Sequence, residues 1–358
     1  MRTKQLLCFL TAVLVLLLFT LAAQGKGRPF ITRWKGEAGK ELQIPINGQN
    51  CKVVIKKADG TVLKTESYNF QFYRYSFTPT EDGELLVEAE PEGVTSFQMT
   101  DDFGNLFGSP EALLRVEQFG TVQWQTMRNA FVFCKNMQFA SGIDTPDLSK
   151  VTDMSGMFSG CTSFNQPLNS WDVCQVTDMW GMFSGCTSFN QPLNSWDVSK
   201  VTYMSRMFSG CTSFNQPLNS WDVSKVVSMR RMFYACTSFN QPLDRWDVSN
   251  VTDMSLMFGG CRAFNRPFSW WNVGNVTNME GMFYGCRIFN QPLARWEVRS
   301  VTNMKEMFYG CERFNQPLSS WSVSNVKDMT GMFAYCAEFN QSLSLWDVKG
   351  VRSMGKMF

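Results

Sequence analysis

The cysteines are the residues of this 358-residue chain whose type and spacing best fit a chemical role. Eight of its 12 cysteines recur at intervals of 25 residues: Cys161, Cys186, Cys211, Cys236, Cys261, Cys286, Cys311 and Cys336. Secreted thiols commonly form disulfides, and neighbours about 4.8 Å apart in a stack would lie within bonding range. Stacked identical positions, however, point their Cβ atoms in parallel, and each cysteine ends an apolar stripe. We therefore predict buried free thiols.

The residue types present offer little support for catalysis or metal binding. The chain has no histidine, the commonest general base and metal ligand. No two cysteines have the C-x-x-C spacing of a zinc site, and neither a G-x-S-x-G motif nor a phosphate-binding loop occurs. We therefore expect no enzyme activity, no metal and no cofactor.

A second column with the same period carries mostly acidic side chains. Like charges about 4.8 Å apart repel, and two explanations could account for them. Each Asp could accept a hydrogen bond from the backbone N–H two residues later, in an Asx turn. Alternatively, the ladder could attract Ca²⁺ or a basic partner surface. On the second view the candidate binding residues are Asp172, Asp197, Asp222, Asp247, Glu297 and Asp347.

The other candidates for a binding surface are arginines that replace the usual letters of the repeat. Three follow the first Met of a repeat and three follow its Cys: Arg206, Arg230 and Arg231, and Arg262, Arg287 and Arg313. Because the constant positions belong to the core, binding specificity is expected where repeats differ. Trp180 and Trp270 lie outside the regular tryptophan column, so we predict that they are exposed and that the column itself is core.

An internal repeat positions these columns. The unit that begins at Val176 reads V-T-D-M-W-G-M-F-S-G-C-T-S-F-N-Q-P-L-N-S-W-D-V-S-K. A fixed period of this length indicates a stacked array, in which each unit buries its apolar face against its neighbours. Residues 193–198 have the spacing of a leucine-rich-repeat strand. Apolar residues over 179–186 have the spacing of a short helical turn.

Composition divides the chain into a leader and two further parts. Residues 1–25 have the charged start, apolar run and small terminal residues of a secretory signal peptide. Residues 26–115 alternate short apolar runs with turn residues, which favours a small all-β sandwich domain. Residues 116–358 hold the repeats: an atypical first repeat over 116–150, eight regular repeats over 151–350 and a partial ninth over 351–358.

Charge and hydropathy narrow the range of partners. Lys and Arg total 33 and Asp and Glu total 31, and no basic run of five residues occurs. We therefore expect no nucleic-acid partner. After removal of the signal peptide, no apolar stretch is long enough to span a membrane.

The pattern F-N-Q-P-L-x-x-W-D-V-S-x-V-T-x-M-x-x-M-F-x-G-C resembles the BspA-type bacterial surface-protein repeat, a relative of leucine-rich repeats. The resemblance covers residues 116–358. It implies a cell-surface or secreted protein that binds host proteins and other cells, and it brings no catalytic residues. The sequence stops within a repeat, without a cap or sorting motif, so we also expect a fragmentary gene product.

These observations define the expected fold and function. We expect an α+β fold: a leucine-rich-repeat-like solenoid of 25-residue units, preceded by a small all-β sandwich domain. We expect a non-enzymatic protein, secreted or at the cell surface, that mediates adhesion to host extracellular or surface proteins or to other cells. The alternative is a structural spacer or self-associating surface-layer component, because an uncapped last repeat with Met354, Met357 and Phe358 could template end-to-end stacking.

Overall fold

The computed structural model describes residues 27–70, 75–101 and 104–358. The predicted signal peptide, residues 1–25, lies outside the described residues. Nine strands and no helix occur in the described part of the chain. They are β1 (Phe30–Gly36), β2 (Leu42–Ile44), β3 (Ile46–Lys57), β4 (Val62–Phe70), β5 (Tyr75–Phe77), β6 (Gly83–Ala89), β7 (Val94–Phe97), β8 (Leu113–Gln118) and β9 (Gln138–Phe139).

The strands form two sheets before and at the start of the repeats. The larger sheet has the order β4-β3-β6-β1-β8-β9, with β7 paired to β3, and β2 and β5 form a two-stranded sheet. In β1 the alternate residues Phe30, Thr32 and Trp34 are fully buried, as the period of two along a strand requires. The hydroxyl of Thr32 accepts a hydrogen bond from Trp34 Nε1 at 2.8 Å, which satisfies both buried groups.

The larger sheet leads directly into the repeats. Strands β8 and β9 are parallel, and β9 lies within the atypical first repeat. Across the junction, the Met99 N–H donates to the Asn129 carbonyl at 3.1 Å. The ring centroids of Phe97 and Phe131 are 5.5 Å apart. The two parts therefore share one continuous core.

Successive repeats are joined through their backbones. One residue of each repeat forms a parallel bridge with its equivalent in the next, as Asp178 does with Tyr203. Beyond this bridge, consecutive tight turns alternate between two kinds of hydrogen bond. The Cys186 N–H donates to the Phe183 carbonyl, three residues earlier in the same repeat, at 2.9 Å. The Gly181 N–H donates instead to the Ser205 carbonyl of the next repeat, also at 2.9 Å. The repeats therefore stack through main-chain hydrogen bonds without a continuous strand.

The predicted α+β fold is wrong, because the described residues form an all-β fold. Residues 179–186 make consecutive tight turns, and the spacing of their apolar residues fits such turns as well as it fits a helix. Gly181 and Gly185 have φ values of 58° and 76°. These left-handed values interrupt a right-handed helix.

The predicted leucine-rich-repeat-like solenoid is wrong for a second reason. Residues 193–198 do not form a strand, since the Trp196 N–H donates to the Leu193 carbonyl at 3.1 Å in a turn. The single bridge of that repeat lies instead at Asp178. Trp196 and Val198 are nevertheless buried and Asp197 is exposed, because turn geometry produces the same alternation here.

Aromatic columns fill the core of the repeats. Phe208 lies 5.7 Å from Phe183 in the preceding repeat and 5.7 Å from Phe233 in the following one, between ring centroids. It also stacks on Phe214 at 4.2 Å. Burying such a side chain contributes roughly 1.5–3 kcal/mol, and here that burial depends on both neighbouring repeats. A repeat therefore gains most of its stability from its neighbours.

The regular tryptophan column is core, as predicted. Trp196 Nε1 donates to the Leu168 carbonyl of the preceding repeat at 3.0 Å. Equivalent bonds are made by Trp221, Trp246, Trp271, Trp321 and Trp346. Trp296 makes no such bond, and its buried Nε1 has no partner among the described residues. It follows the repeat in which Phe268 replaces the usual Leu.

Candidate functional site

The cysteine column holds free thiols, as predicted. All 11 cysteines of the described residues are unpaired. In the column, the Cys211 thiol donates to the Phe183 carbonyl at 3.0 Å, and its equivalents repeat this bond at 2.9–3.0 Å. Burial raises the pKa of the column thiols, for Cys336 to about 12. These side chains are neutral structural donors rather than nucleophiles.

The acidic column is explained by turns. Asp197 Oδ1 accepts a hydrogen bond from the Ser199 N–H at 3.0 Å, as the Asx-turn explanation requires. The same bond is made by Asp172, Asp222, Asp247, Asn272 and Asp347. Glu297 differs, because its carboxylate accepts a hydrogen bond from Arg299 at 2.6 Å. No group of three or more His, Cys, Asp or Glu suited to a metal occurs among the described residues.

The arginines that follow the cysteines lie in a mixed-charge row. Arg287 forms an ion pair with Glu312 at 3.4 Å. Arg313 pairs with Glu338 in the next repeat. Arg262 is exposed in the same column as Arg287. Much of the positive charge in this row is therefore compensated within the protein.

The arginines that follow the first Met are brought together in two adjacent repeats. The Arg206 N–H donates to the Arg230 carbonyl in the next repeat at 2.9 Å. Burial, and then repulsion from Arg231 and Arg230, lowers the pKa of Arg206. Across the described ranges, none of these three arginines forms an ion pair. The buried Nε of Arg231 has no hydrogen-bond partner there either.

Exposed aromatic rings lie beside two of these arginines, Arg206 and Arg231. The Arg206 guanidinium lies 5.9 Å from the ring centroid of Trp180, and that of Arg231 lies 5.5 Å from Tyr234. Trp180 and Tyr203 are 46% and 53% exposed. We call this set the arginine–aromatic cluster: Trp180, Tyr203, Arg206, Arg230, Arg231 and Tyr234.

Sequence reasoning found part of this cluster. It predicted the three arginines and the exposure of Trp180, but it missed Tyr203 and Tyr234. A signal was available for Tyr203, which stands where other repeats have Asp, Asn or Ser. Tyr234 gave none, because Tyr284 and Tyr309 hold the same position of the repeat.

The backbone at the cluster is strained. Arg206 and Arg231 have φ values of 60° and 55°. Gly156 and Gly181 hold the same position in the two preceding repeats, with φ values of 63° and 58°. A side chain in this left-handed region is less favourable than glycine by roughly 1 kcal/mol. Leu256 and Glu306 have the same left-handed φ, 55° each, at this position of later repeats, so the conformation belongs to the repeat.

Two further surface features lie outside the arginine–aromatic cluster. Trp270 is 73% exposed, as predicted, and the Arg295 guanidinium lies 4.2 Å from its ring centroid. A cleft of about 610 Å³ lies between the larger sheet and the first repeat, and its lining includes Leu106, Phe133 and Lys135. Neither brings together as many unpaired charged groups as the arginine–aromatic cluster.

Fold and surface together define an all-β repeat protein with stacked 25-residue units and a positively charged, aromatic surface cluster. The chain belongs to the family described as "Mycoplasma protein of unknown function, DUF285", whose model matches residues 125–243, 216–316 and 269–358. No curated protein and no solved structure matches the chain. None of the described residues forms a helix long and apolar enough to cross a bilayer.

Proposed function

We propose that this chain is a non-enzymatic binding protein, secreted or held at the cell surface, that mediates adhesion to host extracellular or surface proteins or to other cells. The resemblance of its repeat to BspA-type surface proteins supports this role. Its predicted signal peptide supports export.

The observation that carries the proposal is the arginine–aromatic cluster. Buried columns of the repeats keep nearly the same residues throughout. This surface breaks the pattern with three arginines that form no ion pair within the described residues. Clustered like charges oppose stability, and an external partner accounts for their presence at this surface.

A retention experiment tests the proposal. The purified chain is passed over immobilised extracellular matrix from cultured host cells, and bound protein is measured as a function of concentration. The control variant replaces all six candidate arginines by letters that other repeats carry: Arg206→Gly, Arg230→Ser, Arg231→Gly, Arg262→Thr, Arg287→Thr and Arg313→Ser. Saturable retention of the unchanged chain that weakens in this six-arginine variant supports adhesion. Equal retention of the two proteins contradicts it.

The alternative role in self-association stays a prediction. Met354 and Phe358 are exposed, whereas Met357 is buried. Light scattering of the same purified chain over a range of concentrations checks whether copies associate.

A further inference from the structure

We propose that the arginine–aromatic cluster is a binding site for a sulfated polysaccharide. This inference deepens the proposed adhesive function and rests on it, because it names the chemical class of ligand that this surface recognises. It depends on three features of the cluster: its charge, its arrangement over two adjacent repeats and its aromatic faces.

The charge of the cluster calls for an anion. Arg206 is half-buried, and burial, followed by repulsion from Arg231 and Arg230, lowers its pKa. No carboxylate within the described residues pairs with the three groups. An anionic ligand would relieve this repulsion. Guanidinium groups bind sulfate-like and carboxylate oxygens in a two-pronged geometry, so arginine suits this ligand better than lysine.

The arrangement of the cluster favours a polymer over a small ion. Arg206 and Arg231 hold equivalent positions in consecutive repeats, and the hydrogen bond from the Arg206 N–H to the Arg230 carbonyl places these backbones side by side. Parallel neighbours in such a stack repeat about every 4.8 Å. The three charges therefore lie on two adjacent repeats, which matches a chain with several anionic groups better than one small ion.

Aromatic faces favour sugar rings as the units of that polymer. Trp180, which lies beside Arg206, and Tyr203, three residues before Arg206 in the chain, each expose about half of their surfaces. Their flat faces can pack against the apolar face of a sugar ring while the guanidinium groups hold its sulfates. The contacts of Arg206 with Trp180 and of Arg231 with Tyr234 also limit the freedom of the two guanidinium groups. An acidic peptide would use the charges but leave these rings with little to contact.

The strained backbone supplies a variant that separates binding from folding. Glycine occupies the position of Arg206 and Arg231 in other repeats, with the same left-handed φ. Arg206→Gly and Arg231→Gly should therefore preserve or raise stability while they remove two charges. Arg230→Ser completes the triad variant, because Ser155, Ser205 and Ser255 hold that position elsewhere.

The experiment measures binding to immobilised heparin, desulfated heparin and polyglutamate at one fixed salt concentration. The unchanged chain is compared with the triad variant R206G/R230S/R231G and with the matched control R262T/R287T/R313S. Both variants lose three positive charges, so a difference between them reports position rather than net charge. We expect the triad variant to bind heparin at least about tenfold more weakly and the control to retain its affinity. Urea unfolding of each variant checks that the fold is preserved.

Three outcomes would overturn the inference: equal weakening in both variants, no weakening in the triad variant, or polyglutamate binding as tight as heparin binding. Desulfated heparin that binds as tightly as heparin would overturn the role assigned to sulfate. The inference can fail while the proposed function stands, since a chain that is retained on host matrix but does not bind heparin is still adhesive through another surface.

Discussion

At the scale of the residue, Asp197 shows how a repeated column can be conspicuous without being a binding site. Its carboxylate accepts the Ser199 N–H at 3.0 Å, and its hydrogen bond with the Ser199 side chain holds the pKa of Asp197 below its usual value. Asn272 forms the same turn without a charge, through a bond to the Gly274 N–H at 3.1 Å. The column therefore needs a hydrogen-bond acceptor rather than an anion.

This explanation predicts different effects for two substitutions at the same residue. Asp197→Ala should lower the free energy of unfolding by about 1 kcal/mol, because the turn loses its hydrogen bond. Asp197→Asn should leave it nearly unchanged, since Asn272 already serves in this way. Urea unfolding followed by tryptophan fluorescence measures both. If Asp197→Asn destabilises the protein as much as Asp197→Ala does, the charge itself is required and the turn explanation is wrong.

At the scale of the element, the period and the buried columns could be predicted from the sequence, but the local backbone could not. Repetition identifies the core because an apolar residue at a fixed position must meet its equivalent in the next repeat. The same spacing over residues 179–186 fits both a helical turn and a series of tight turns. The choice depends on left-handed positions such as Gly181 and Gly185. Non-glycine residues also adopt that conformation here, as Arg206 does, which hides the pattern in the sequence.

The sequence also predicted only part of the candidate site. The arginines could be found because they break the repeat, but sequence alone could not separate the paired Arg287 from the unpaired Arg206. That distinction depends on which side chain lies in the same column one repeat away. Tyr203 was missed because single aromatic residues are common in cores, whereas here its ring is exposed.

The cysteine column predicts that stability falls in alkaline solution. Burial raises the pKa of Cys186, Cys211 and Cys261 well above the usual thiol value. Their contribution is therefore fully present below about pH 8.5, where unfolded thiols are protonated, and is lost as the pH rises further. Each thiol should lower the free energy of unfolding by about 1.4 kcal/mol per pH unit above that value.

Urea unfolding between pH 7 and pH 10, under reducing conditions, measures this slope. The variant Cys211→Ala should reduce the slope by the contribution of one thiol, although its stability at pH 7 is also lower. A slope that is unaffected by this substitution would show that groups other than the column thiols cause the alkaline loss.

At the scale of the whole molecule, a stack of near-identical repeats separates structure from recognition. The buried columns run along the stack from repeat to repeat, so the surface of any one repeat can change without disturbing the core. In the row that follows the cysteines, Arg287 and Arg313 are balanced by acids of the next repeat. In the arginine–aromatic cluster the charges are left without acidic partners in the described part of the chain. We therefore expect ligand binding where surface residues depart from the repeat pattern.

Hydrogen–deuterium exchange of the full chain, with and without a heparin oligosaccharide, tests this central claim most directly. We predict slower exchange on binding in residues 177–186, 202–211 and 227–236, which carry the arginine–aromatic cluster, and little change over residues 276–350. Slowed exchange spread evenly over the repeats, or confined to residues 276–350, would contradict the account.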